Sequence, residues 1–172
     1  MLPKSARNRP GNLRSGTHGI IVHWPGPYLH RADGILSWWA KGERAGAAHD
    51  IVDQDGTVVH ALPPEEVGWH LGAGKYTRFK ALKVGDDNPN KWFYGLETCV
   101  LNLQGDMSGA TWDAAVRRCV EMCALFGLQH WEVYTHQQIV GSVPHWGKYH
   151  CHELFYTRPE ELERLRYEVS LG

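Results

Sequence analysis

The stretch AAHDIVDQDGTVVHAL, residues 47–62, requires two of the chain's strands to run antiparallel. Strand-like runs flank Asp55-Gly56, a pair suited to the left-handed backbone of a type I′ hairpin turn. The other strand-like runs, GIIVHW (19–24), YGLETCVLNL (94–103) and HWEVYTH (130–136), are separated from one another by long intervening segments. RADGILSWWAKG (31–42) reads as a short helix with Asp33 as N-cap and Gly42 past its end. In SGATWDAAVRRCVEMCALFGL (108–128), Trp112, Ala115, Val116, Cys119, Cys123 and Phe126 fall at helical spacing, and Gly127 supplies the stop. A last helix follows Thr157-Arg158-Pro159, where Pro159, Glu160 and Glu161 suit a helix N-terminus. Strands alternating with helices predict an α/β fold in a single domain, a central β-sheet flanked by helices. The hairpin makes that sheet mixed.

A length of 172 residues suits one domain with a real core. The net charge of −1 argues against a nucleic-acid partner, because phosphate neutralisation needs a strongly basic face. No apolar run approaches the roughly 20 residues that cross a bilayer, so membrane insertion is not expected. The N-terminal MLPKSARNRPGNLRSG has basic residues without an apolar segment behind them, unlike a secretory signal, and predicts synthesis in the cytoplasm. The four cysteines do not form a disulfide framework; Cys119 and Cys123, four apart on a helix, read as small core residues. Residues 63–93, punctuated by Gly and Pro and rich in aromatics, read as a functional surface loop.

Eleven histidines are the unusual component. His23 and His136 each close an apolar strand, where side chains are rigidly anchored yet face a crevice. The segment SVPHWGKYHCHELF (142–155) adds His145, Lys148, His150, Cys151 and His152. Two strand-end histidines plus one ligand from KYHCH would leave a fourth position open for water, the catalytic zinc pattern. The ordinary alternative is that each histidine caps a strand through a hydrogen bond.

GIIVHW, AAHDIVDQDGTVVH, VGWHLG, YGLETCV, VYTHQQI and GKYHCH stand in the order found in type 2 N-acetylmuramoyl-L-alanine amidases, which this chain resembles from about Gly19 to Phe155. That zinc family shares its fold with the peptidoglycan recognition proteins and includes many phage endolysins. The resemblance implies a catalytic domain over 19–156, between an N-terminal extension at 1–18 and a C-terminal helix at 157–172. It implies Zn2+ held by His23, His136 and a third ligand placed two residues after a lysine, which is His150 here. Family members usually carry Cys or Asp there, so Cys151, one residue further, is the rival; His152 and His145 fit less well. Glu97 is implied as the general base, with a buried salt bridge as its alternative, and Lys148 as the oxyanion-stabilising cation, with a solvated lysine as its alternative. A tyrosine found in some relatives is replaced by Ala48. His49 is expected to support the metal site. Trp69, His70 and Trp92 are expected on the groove rim, with Tyr76, Phe79 and Phe93 in the same aromatic loop. The implied reaction is hydrolysis of the amide between N-acetylmuramic acid and L-alanine in peptidoglycan, by a monomer that reaches the wall after release from the cell. A non-catalytic peptidoglycan-binding module and an endopeptidase are the competing readings.

Overall fold

The computed structural model describes residues 1–4, 8–14, 16–26, 30–42, 46–72, 88–141 and 148–172. Tyr76, Phe79 and His145 lie outside the described residues. Five strands form one mixed sheet: β1 (Ile20–His23), β2 (Asp50–Val52), β3 (Val58–His60), β4 (Tyr94–Thr98) and β5 (Val133–Thr135), in the order β3-β2-β4-β1-β5. The helices are α1 (Ala32–Lys41), α2 (Gly109–Phe126), α3 (His136–Val140), α4 (Glu153–Thr157) and α5 (Pro159–Ser170). β1 is parallel to both its neighbours, β4 and β5, and β2 is parallel to β4. Only the β2–β3 hairpin is antiparallel, as the sequence requires.

Strand alternation divides the buried side chains between the two faces. Ile20, Val22, Tyr94, Leu96 and Val133 meet Trp112, Ala115 and Cys119 of α2 and Leu162 and Leu165 of α5, the largest core cluster. Cys119 and Cys123 are free thiols within it, in the packing role expected of them. At its edge the Tyr94 hydroxyl and the Arg118 guanidinium both donate to the buried carboxylate of Asp50, tying α2 to two strands. The opposite face carries Ile21 with Leu71, Phe93 and Ile139, and further along Ile51 with Ile35 and Trp39 of α1. His23 and Glu97 share the alternation of Ile21, and so belong to that second face.

Three expectations are corrected. The hairpin turn is wider than a two-residue type I′ turn: Val52 pairs with Val58, Asp53 N–H donates to Thr57 C=O, and Gly56 N–H closes a turn on Asp53 C=O at 3.0 Å. Gly56 takes φ +83°, and a Cβ there would meet the Ala110 carbonyl oxygen at 2.8 Å. The N-cap of α1 is Arg31; Asp33 sits inside the first turn, where its carboxylate accepts from Gly34 N–H. The described parts of 63–93 are not mere surface, because Leu71 and Phe93 are fully buried. The N-terminal extension packs on the domain: Leu2 is buried beside Ala61, and Arg9 makes a buried two-pronged ion pair with Glu66 at 2.8 and 2.9 Å.

The terminal helix α5 is likewise part of the core. Truncating the fully buried Leu165 to Ala is expected to cost about 2–5 kcal/mol of unfolding free energy, as cavity formation in a close-packed core does. Urea denaturation measures it; a cost within experimental error would mean that α5 is a detachable connector.

Candidate active site

The site forms at the C-terminal ends of the parallel strands, where open α/β sheets present their crevices. His23 is the last residue of β1, and its Cα partner across the parallel ladder is Glu97 of β4. β5 ends one residue earlier than the sequence suggests, so that His136 is the first residue of α3, following Thr135, whose backbone N–H donates to the Gln138 side-chain oxygen at 3.0 Å. Strand β5 therefore delivers His136 to the crevice, and the helix cap fixes its backbone.

His23, His136 and Cys151 converge: one potential ligand atom from each lies within 4.8 Å of the other two, and all three residues are buried. The His23 and His136 rings meet edge-on with centroids 5.0 Å apart. His23 Nδ1 is 3.3 Å from Cys151 Sγ. That spacing is close to the roughly 3.5 Å expected between nitrogen and sulfur ligands of one tetrahedral zinc.

The third member of the cluster is thus Cys151, and His150, the position to which the family resemblance points, lies outside it. That position assumes side chains alternating along an extended segment, but the chain turns at Cys151-His152 on its way into α4. His150 swings away to stack on Tyr156, with centroids 3.5 Å apart and planes 16° apart. Its N–H donates to the Glu153 carboxylate at 2.6 Å. His152, once weighed as a ligand, instead anchors the same turn. Its Nδ1 accepts from Leu154 N–H as the N-cap of α4, and its Nε2 lies 3.0 Å from Thr98 Oγ1. The Thr98 hydroxyl in turn donates to the backbone carbonyl of His23 at 2.9 Å. The Cys151 turn is therefore bonded to the strand end that carries its neighbour in the cluster. Burial pushes His152 down to about 3, so it serves as a neutral hydrogen-bonding group.

The remaining expected residues divide. His49 bonds to Glu66 C=O through Nε2 and accepts Gly95 N–H at Nδ1, both at 2.9 Å. His70 is not on a rim. It lies behind His23, with Nδ1 2.9 Å from His23 Nε2, and burial pushes it down to about 4. Trp69 and Trp92 are half-buried. Lys148 is exposed, its ammonium 5.5 Å over the Tyr149 ring. It lines a cleft of about 600 Å³ with Asp106, Glu153 and Arg158, and no residue of the His/His/Cys cluster lines that cleft.

Glu97 is half-buried, and its Oε2 has no hydrogen-bond partner among the described residues. Desolvation alone raises it to about 8. Burial also pushes the Cys151 thiol well above its ordinary value, and the charge of Glu97 adds to that rise. Two acidic groups thus share a desolvated crevice, close enough for the charge of Glu97 to act on Cys151. A divalent cation between them would supply the missing charge. The residues therefore fit zinc, and a His/His/Cys set leaves its complex at +1 rather than the +2 of three histidines.

Sequence reasoning missed Thr98, Asn90 and Gly95. Asn90 is buried, and its Oδ1 accepts from both His70 N–H and Leu71 N–H at 2.9 and 2.8 Å. A Cβ on Gly95 would meet the His70 ring at 2.7 Å. A glycine inside a strand is the sequence signal for such a close approach.

Comparison with known proteins agrees with the geometry. The sequence matches the N-acetylmuramoyl-L-alanine amidase family model over residues 14–150, a span that includes His23, Glu97 and His136. Among solved structures, the fold is similar to a mutant endolysin from Bacillus subtilis, with TM-score 0.70 and 20% identity over 100% of this chain and 96% of that one. The PlyG catalytic domain in solution gives TM-score 0.71 and 18% identity over 92% and 84%. The Staphylococcus aureus hydrolase AmiA in complex with its ligand gives TM-score 0.61 and 18% identity over 91% and 74%. No curated protein matches the sequence significantly. The fold is one that solved endolysin catalytic domains also adopt. The chain belongs to the N-acetylmuramoyl-L-alanine amidase family, and its activity is that of a peptidoglycan amidase.

With Lys148 lining a separate cleft, Lys148→Ala is expected to change kcat by no more than a few-fold in a peptidoglycan hydrolysis assay. A fall of about 10²–10³, the usual cost of removing an oxyanion donor, would instead return Lys148 to the reaction centre.

Proposed function

We propose that this amidase is a zinc hydrolase in which His23, His136 and Cys151 hold the metal and Glu97 carries the proton. The supporting observation is the convergence of those three ligand atoms beside a carboxylate with no competing hydrogen bond at Oε2. Zinc at such a site lowers the pKa of a bound water toward neutrality and polarises a carbonyl oxygen.

The chain's own residues do the rest. Glu97, next to His23 in register, accepts the proton of the attacking water as a general base. Its neutral state at about 8 describes the cation-free crevice; a nearby dication favours the carboxylate, the form a base needs. The protonated Glu97 then donates to the nitrogen of L-alanine as the amide to the lactyl group breaks, so the proton balance closes on one residue. Trp69 and Trp92 are proposed to offer apolar surface to the glycan or stem peptide. Lys148 has no part in this mechanism. The family and the endolysin-like neighbours support action on the cell wall, and no helix among the described residues is long and apolar enough to cross a membrane. We further propose that the enzyme works as a monomer, made in the cytoplasm and released to the wall in the manner of a phage endolysin.

Two substitutions separate the roles. Cys151→Ser is expected to abolish zinc retention and activity together, whereas His150→Ala leaves zinc content near one per chain; metal analysis of the purified variants reads both. Zinc lost from His150→Ala and kept in Cys151→Ser would reverse the assignment. Glu97→Gln is expected to keep zinc while release of new N-terminal alanine from peptidoglycan falls about 10²–10⁴-fold, the usual contribution of general acid–base catalysis. Near-wild-type turnover in that variant would remove Glu97 from the proton path. New termini other than alanine would identify an endopeptidase. Wall binding without new termini would identify a recognition module.

A further inference from the structure

We propose that His70 is a positioning residue that sets which nitrogen of His23 faces the metal, a role that rests on the metal centre proposed above. Three buried groups form a directional chain. His70 Nε2 lies 3.0 Å from the carbonyl oxygen of Phe93. A carbonyl only accepts, so the proton of neutral His70 is on Nε2 and its Nδ1 carries a lone pair. His23 Nε2 is 2.9 Å from that lone pair and must donate to it. The neutral His23 ring then has no proton on Nδ1, the atom 3.3 Å from Cys151 Sγ. The Phe93 carbonyl and the two imidazoles thus form one line of hydrogen bonds whose sense is fixed at its backbone end, and His23 Nδ1 is the nitrogen that would be left to a metal.

The His70 ring is held to this task from several sides. Gly95 gives it room on the sheet, since a side chain there would overlap its Cγ at 2.7 Å and its Nδ1 at 2.8 Å. Asn90 accepts its backbone N–H, and His49 packs edge-on at 5.7 Å between centroids. A residue that merely filled space would need none of these polar contacts. Metal-binding histidines are commonly oriented by a hydrogen bond to their second nitrogen; here the partner is another imidazole, itself anchored to a carbonyl.

The test has a metal-free and a metal-loaded arm, using wild type, His70→Leu and His70→Gln. In the metal-free protein, long-range proton–nitrogen NMR is expected to show both His23 and His70 with the proton on Nε2 and, in His70→Leu, loss of the single fixed His23 tautomer. A wild-type His23 protonated on Nδ1 overturns the proposal. In the second arm, chelator competition measures zinc affinity. His70→Leu is expected to weaken it about 10–100-fold, the range typical of lost partners behind a ligand. His70→Gln is expected to restore most of that loss, because its amide oxygen can accept from His23 while its amide nitrogen donates to Phe93. Unchanged affinity in His70→Leu, or no rescue by Gln in a variant whose metal-free unfolding midpoint matches wild type, overturns the positioning role. If wild type itself binds no zinc, the metal-centre reading fails, and the tautomer measurement still decides the hydrogen-bond chain.

Discussion

Parallel pairing of β1 with β4, in the register that sets His23 opposite Glu97, is the constraint on which the site depends. A slip of one residue would turn one of the two side chains to the far face of the sheet. The register is held from both sides of that sheet. Ile20, Val22, Tyr94 and Leu96 are locked against α2 and α5, while Ile21 is buried with Phe93, Leu71 and Ile139. The same sheet delivers His136 through β5, paired to β1 up to Thr135. Cys151 comes from the turn before α4, and His152 and Thr98 bond that turn back to the carbonyl of His23.

The buried histidines illustrate how one residue type takes different roles by environment. His49, His70 and His152 are all pushed down by desolvation, and each bonds to backbone groups. They act as neutral polar struts that satisfy backbone groups in places where an unpaired donor or acceptor would be costly. His23 and His136 stand at the crevice beside the thiol. Around them, Glu97 and Cys151 share a pocket in which neither acid readily ionises alone. On the zinc reading proposed above, a dication would favour both anions at once.

Elements whose signals are local were legible in the sequence. The β2–β3 hairpin, the α2 stop at Gly127 and the Pro159 start of α5 follow from turn and cap chemistry that spans a few residues. His23 and His136 drew attention because each closes an apolar run, although His136 proves to open α3, whereas Glu97 entered through the family resemblance. The failures are equally physical. His150 was favoured by assuming extended backbone, and the chain turns instead. His70 and Phe93 were assigned to a surface loop because a Gly- and Pro-rich segment gives no periodicity from which burial can be inferred. Asn90 and Thr98 satisfy partners remote in sequence, and no local pattern announces that.

The most direct test of the whole account is zinc K-edge absorption of the purified enzyme, which reads the ligand set without reference to activity. The account predicts one sulfur neighbour at about 2.3 Å together with nitrogen or oxygen neighbours at about 2.0–2.1 Å. A bound zinc with no sulfur neighbour would contradict it and move the third ligand away from Cys151.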